Sequence, residues 1–169
     1  LYKRTSLQNS YGINFLALVD GYPRVLNIKQ ILENYIAHQK EVIYRRTKFE
    51  LNKAEEREHI IEGLVVALAN IDEVIKIIKA SKDREEASNS LQSAFMLSAV
   101  QAGAILDMRL QRLTSLEVEK LNKELADLRE LITELRGILA SEEKIKQVII
   151  KEIEEVKAQY GDERKTEID

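Results

Sequence analysis

A chain of 169 residues, 44% apolar and 33% charged, can bury a core, but six glycines, one proline and 5% aromatics exclude an ordinary sandwich or barrel and point to helix. Its net charge of −3, with both signs intermixed, offers no broad positive field to nucleic acid, so any DNA contact has to be local. Cysteine is absent, which removes disulfide frameworks, thiolate catalysis and cysteine-based zinc sites together and fits a reducing, cytoplasmic setting. No apolar run approaches the roughly 20 residues of a membrane span, and no signal-peptide pattern opens the chain. Because it starts at Leu1 and not at Met, the sequence reads as a fragment cut from a longer protein.

In chain order, Ser10–Leu26 is the one β-like stretch: Ile13, Phe15 and Leu16–Val19 lead into Asp20-Gly21, and Tyr22-Pro23-Arg24-Val25-Leu26 follows. Asp-Gly between apolar runs predicts a two-residue hairpin turn, since both positions want positive φ. Pro23 has no N–H to donate, so its strand should pair on one side only, and a lone hairpin should need further strands from before Leu1. Asn27 with Gln30 forms a capping box, and a long helix should run from there to Gly63 through Ile31, Leu32, Tyr35, Ile36, Val42, Ile43, Phe49, Ala54, Ile60 and Ile61. About 35 residues at 1.5 Å each give an arm of about 52 Å.

Residues 64–113 change character. Capping boxes at Asn70/Glu73, Asp83/Glu86 and Ser98/Gln101 predict short helices, and Thr114/Glu117 restarts a long one. Ile71, Val74, Ile75, Ile77, Ile78, Leu91, Phe95, Val100, Ile105, Leu106 and Leu110 supply more apolar surface than so short a segment hides, so the segment reads as a helical head with a partner surface. From Val118 the chain carries a heptad seam, Val118, Leu121, Leu125, Leu128, Ile132, Leu135 and Leu139, widened by Leu131 and Ile138. At roughly 1.5–3 kcal/mol per buried aliphatic side chain, that seam needs a partner helix, and the first arm is its natural mate. Ser141-Glu142-Glu143 looks like a fresh N-cap, predicting a break near Ala140–Ser141. The fold class is therefore mainly α: a long antiparallel two-helix coiled-coil arm, a small helical head at its tip and a short N-terminal β-hairpin.

Few constellations suggest chemistry. Glu56-Arg57-Glu58-His59 holds one Glu-x-x-His, the spacing of helical di-iron ligands, but such sites need a second copy and more carboxylates. The other histidine, His38, lies roughly 30 Å away along the same helix. His59 is better read as solvated or packed at the arm's tip, and Arg45-Arg46 as a solvated pair beside acidic neighbours more than as a DNA contact. For a homodimer made through the head, the candidates are Ile105, Met108 and Arg109 on the exposed side of a helix over Ser98–Leu113, with the neighbouring Ile77–Ile78 turn; ordinary packing inside the head is the alternative for each.

The run Gln101-Ala102-Gly103-Ala104-Ile105-Leu106-Asp107-Met108-Arg109-Leu110-Gln111-Arg112-Leu113-Thr114-Ser115-Leu116-Glu117 resembles the corresponding stretch of the A-subunit family of bacterial DNA gyrase, a group of type IIA topoisomerases. The resemblance extends through Tyr11-Gly12-Ile13-Asn14, Ala17-Leu18-Val19-Asp20-Gly21, Arg45-Arg46-Thr47, Ala54-Glu55, His59-Ile60-Ile61-Glu62-Gly63-Leu64 and Gly161-Asp162-Glu163-Arg164-Lys165-Thr166-Glu167-Ile168. It departs from the usual wording at Gly103 and Ser115.

The resemblance implies a division of the chain into the end of a tower domain (1–26), an ascending coiled-coil helix (27–63), an exit-gate dimerisation head (64–113), a returning helix (114–160) and a charged tail (161–169). It implies an ATP-dependent enzyme that supercoils DNA by passing one duplex through another, with this part closing the exit gate as a homodimer. In that family the attacking tyrosine follows an arginine. None of Tyr2, Tyr11, Tyr22, Tyr35, Tyr44 and Tyr160 does so, so this stretch alone should be inactive and bind duplex DNA only weakly. Mg²⁺ and ATP would belong to the B subunit, leaving no cofactor, catalytic or metal site here. The equivalent piece of topoisomerase IV is the alternative within the family, and a purely structural coiled-coil spacer is the alternative outside it.

Overall fold

The computed structural model describes residues 1–10, 12–109 and 115–165, and within them two strands and six helices. They divide into two units, Leu1–Ile43 with Ile149–Asp169 and Tyr44–Val148.

In the first unit, β1 (Leu16–Val19) and β2 (Tyr22–Val25) form an antiparallel hairpin with Leu18 opposite Pro23. The turn is the one the sequence specifies: Asp20 and Gly21 sit at φ 52° and 80°, the left-handed pair that matches the twist of the strands. The strands are shorter than the apolar run over Ser10–Leu26 suggests, since Phe15 joins only through its carbonyl to the Leu26 N–H. The hairpin is a two-stranded sheet whose Leu16, Leu18, Tyr22 and Val25 side chains are open to solvent, while Ala17 and Val19 are half-buried.

Helix α1 (Ile28–Ala69) starts on a complete capping box: Gln30 N–H donates to Asn27 Oδ1 and Asn27 N–H donates to Gln30 Oε1. It does not stop at Gly63, as the sequence suggests. Gly63 is buried inside the helix and followed by buried Leu64 and Ala67, so the tertiary contact there outweighs the roughly 1 kcal/mol that glycine costs a helix interior. The arm helix thus runs on into the head and supplies part of its core.

In the second unit, α5 (Ser115–Leu139) lies antiparallel to α1. Arg129 meets Glu58 and Glu62, and Arg136 meets Glu55, so the partner's number falls as α5 advances. The whole predicted seam is turned inward: Leu121, Ile132 and Leu135 are buried and Val118, Leu125, Leu128 and Leu139 are half-buried. Leu131 does not widen it and is 41% exposed. On α1 the buried and half-buried positions Thr47, Leu51, Ala54, Glu58 and Ile61 step by four and three, and three of them, Thr47, Ala54 and Glu58, are small or polar where the α5 seam is all aliphatic. The chain breaks at Ala140–Ser141 as expected, and α6 (Glu142–Tyr160) begins with the Lys144 N–H donating to Ser141 Oγ.

The head is built from α2 (Ile71–Ala80), α3 (Arg84–Phe95) and α4 (Ala99–Leu106). The three predicted boxes fare differently. Asn70 does not cap α2: its backbone is not extended, and its side-chain amide donates to the Val66 carbonyl, closing α1. Turned back to the Val66 carbonyl, the Asn70 side chain makes no cap bond to α2. Asp83 accepts from the Glu86 N–H, but Glu86 reaches back to the Lys82 N–H, one residue too far for a reciprocal box. Only Ser98/Gln101 is complete. The expected helix over Ser98–Leu113 ends at Leu106, with a turn at Asp107; Thr114 and its box lie outside the described residues.

Candidate functional site

The head's core is Leu64, Ala67, Val74, Leu91, Leu97, Ala102 and Ile105, with Ile60, Ile77, Phe95, Ala104, Leu106 and Met108 packed against it. Each helix contributes through its own stripe. Val74 and Ile77 come from α2, Leu91 and Phe95 from α3, and Ala102 and Ile105 from α4, the three- and four-residue spacings that place side chains on one helix face. Arg84 at the start of α3 reaches Asp107 just past α4 at 2.7 Å, tying the open ends of these two helices together.

Those contacts sort the dimer candidates. Ile105 is a core residue at 3% exposure, so it is withdrawn as a surface contact: α4 is short, and its buried stripe runs through Ala102 and Ile105. Met108 lies beyond the helix and packs partly against the same core, as does Ile77. Ile78 and Arg109 are exposed.

The structure adds Met96 and Val66 to the apolar surface of the head. Met96 ends α3 in the left-handed region at φ 53° and is 96% exposed, while Val100, the second residue of α4, and Val66 of α1 are also open to solvent. The signal was present: between Phe95 and the Ser98 cap there is no glycine to take the left-handed position that ends a helix, so some other residue has to. Val65, Val66, Phe95, Met96, Leu97 and Leu125 line an open recess of about 460 Å³ together with Glu62, Gln101 and Arg129.

Polar contacts fasten α4 and α5 to α1. His59 Nε2 lies 2.7 Å from Ser98 Oγ, and Gln101 Nε2 donates to the His59 carbonyl at 2.7 Å. His59 is exposed as well as bonded to the head, so it is both solvated and in contact with α4. Along the arm, Arg57 meets Glu124 and Arg136 meets Glu55, both at 2.7 Å. The Arg129 guanidinium is held above its usual range by the hydrogen bonds it donates to Glu62 and then Glu58, so it stays charged throughout the accessible pH range. Among the described residues no three His, Asp or Glu side chains gather closely enough to hold a metal ion, and no helix is long and apolar enough to cross a membrane.

A sequence profile of the DNA gyrase/topoisomerase IV A-subunit family matches residues 1–154. Among curated proteins, the chain is similar to the DNA gyrase A subunit of Halalkalibacterium halodurans, 57% identical over 168 residues, which is 99% of this chain and 20% of that protein. It is 56% identical over 169 residues to the DNA gyrase A subunit of Clostridium acetobutylicum, covering 100% of this chain and 20% of the relative. With the DNA gyrase A subunit of Leptospira biflexa the identity is 52% over 168 residues, 99% of this chain and again 20% of the relative. The chain therefore spans about a fifth of the length of these relatives.

Proposed function

The chain belongs to the DNA gyrase/topoisomerase IV A-subunit family, and we propose that it is the coiled-coil and exit-gate portion of a gyrase A subunit. In this reading the head meets its twin across a twofold axis and opens to release the transported duplex. The parent is an ATP-dependent type IIA topoisomerase that supercoils DNA in the cytoplasm, assembled with a B subunit that binds ATP and Mg²⁺. The observation that carries this reading is identity above one half over 99% of the chain, arm and head included, with relatives named gyrase. The topoisomerase IV equivalent is the second reading, since the family profile spans both.

A plain spacer is disfavoured because a turn between two arms needs only a short loop. Here three helices form an apolar core at that place and still leave Ile78, Met96 and Val100 open. The chain holds no tyrosine in the family's nucleophile setting, so its own contribution is mechanical: two surfaces that seal and part. Sedimentation equilibrium of the chain tests the proposal. A reversible dimer that dissociates on dilution is expected, and a strict monomer at every concentration would remove the gate reading.

A further inference from the structure

The complete capping box of Ser98 and Gln101 does more than start its helix. Gln101 uses both ends of its amide: Oε1 accepts from the Ser98 N–H at 2.9 Å, which is the cap, while Nε2 donates to the His59 carbonyl at 2.7 Å and lies 3.4 Å from His59 Nδ1. Ser98 Oγ accepts from the Gln101 N–H and contacts His59 Nε2. The imidazole tautomer with its proton on Nε2 satisfies every one of these contacts, because Nε2–H then donates to Ser98 and bare Nδ1 faces the Gln101 amide donor. One turn further along α1, Gly63 leaves room for the Gln101 side chain, which is buried although polar. The first turn of α4 is thus bonded to α1 through the same two side chains that form its cap.

We propose that His59, Ser98 and Gln101, seated on Gly63, form a joint that makes α4 move as one body with the end of α1. Displacement of the arm is then delivered directly to the part of the head that α4 carries, including the Val100 surface and the segment that follows Leu106. This is a coupling element for the gate proposed above and rests on that reading for its purpose, though not for its geometry. A packed core holds α2 and α3 against the same helix by apolar contacts, which tolerate sliding better than directional hydrogen bonds do.

The cap and the joint can be separated chemically. Glu in place of Gln101 keeps an acceptor for the Ser98 N–H, being a standard capping-box residue, but has no donor for the His59 carbonyl. Combining it with His59→Ala prevents a replacement ion pair. Because the chain has no native cysteine, spin labels can be placed uniquely at Glu56→Cys with Ala99→Cys across the joint, and at Asn89→Cys with Ala99→Cys between α3 and α4. In the His59→Ala/Gln101→Glu variant, pulsed electron resonance should show the first distance distribution widening roughly twofold while the second keeps its parental width. An unchanged first distribution overturns the joint. Widening of both also overturns it, since Gln101 would then be a general stabiliser of the head. Sedimentation of the unsubstituted chain is run alongside: a chain that never dimerises removes the gate reading and leaves the label distances to decide the joint.

Discussion

A methyl group on Gly63 would lie 2.7 Å from both Cβ and Cγ of Gln101, closer than carbon atoms approach without something moving. Alanine is the better helix former by about 1 kcal/mol, so at an exposed site Gly63→Ala would stabilise α1. Here it has to push Gln101 off the His59 carbonyl and the Ser98 cap, leaving buried polar groups unpaired at about 1–3 kcal/mol each. The second effect wins. Gly63→Ala should lose about 1–2 kcal/mol overall in a urea titration, and a variant more stable than the parent would show that Gln101 has somewhere else to go.

Met96 makes the opposite trade. A non-glycine residue in the left-handed region costs about 1–2 kcal/mol, and a side chain 96% exposed recovers nothing by packing within the chain. Met96→Gly relieves that strain, offset in part by the freedom glycine adds to the unfolded chain. The expected result is a gain of about 0.5–1 kcal/mol for the monomer in thermal unfolding. Loss of stability would mean that the Met96 side chain has contacts that the exposed position does not suggest.

The same four-residue wording at Asn70/Glu73, Asp83/Glu86 and Ser98/Gln101 gives three different outcomes, and the reason marks how far sequence reaches. Local grammar says where a helix can begin, and all three helices do begin there. It does not say where the capping side chain turns: the Asn70 amide N–H donates back to the Val66 carbonyl, whereas Ser98 gains a second partner in His59, 39 residues earlier. The heptad seam and the Asp20-Gly21 turn were legible because each depends on spacing or a single backbone preference. Gly63 and Ile105 were not, because their roles depend on what lies opposite. Ser98→Ala should therefore cost about 1–2 kcal/mol, the upper part of the range for a lost cap. Asn70→Ala should cost less than about 1 kcal/mol, because α2 loses no side-chain cap. Equal losses in parallel denaturant titrations would contradict that difference.

Two kinds of contact join α1 to α5, and their magnitudes differ. Ile132 is 3% exposed in the middle of the seam, where truncation to alanine costs about 2–5 kcal/mol in lost transfer energy and the cavity left behind. Arg136 is 64% exposed, and its pair with Glu55 is screened by water and salt. Arg136→Ala should cost less than about 1 kcal/mol, and that cost should shrink further in high salt. If Arg136→Ala were as damaging as Ile132→Ala, ion pairs and not the seam would hold the arm.

The proposed head dimer can be tested at residues whose burial separates contact from core. Ile78 is 38% exposed on α2, so a carboxylate there is solvated in the monomer but desolvated against a partner. An isologous interface meets each substituted position twice, once from either side of the axis, which doubles the penalty per dimer. Ile78→Glu should weaken the dimer by roughly tenfold or more, at about 1.4 kcal/mol per decade, while the circular dichroism of the monomer stays helical. Met96→Glu tests the surface across α3 and α4 in the same way, and of the two variants the one that dissociates the dimer locates the contact. Met108→Glu is the control, since Met108 packs partly against the core. Its first effect should be a lower melting temperature for the head, with loss of the dimer as a consequence of unfolding. A dimer that survives Ile78→Glu and Met96→Glu unchanged would move the contact away from both surfaces.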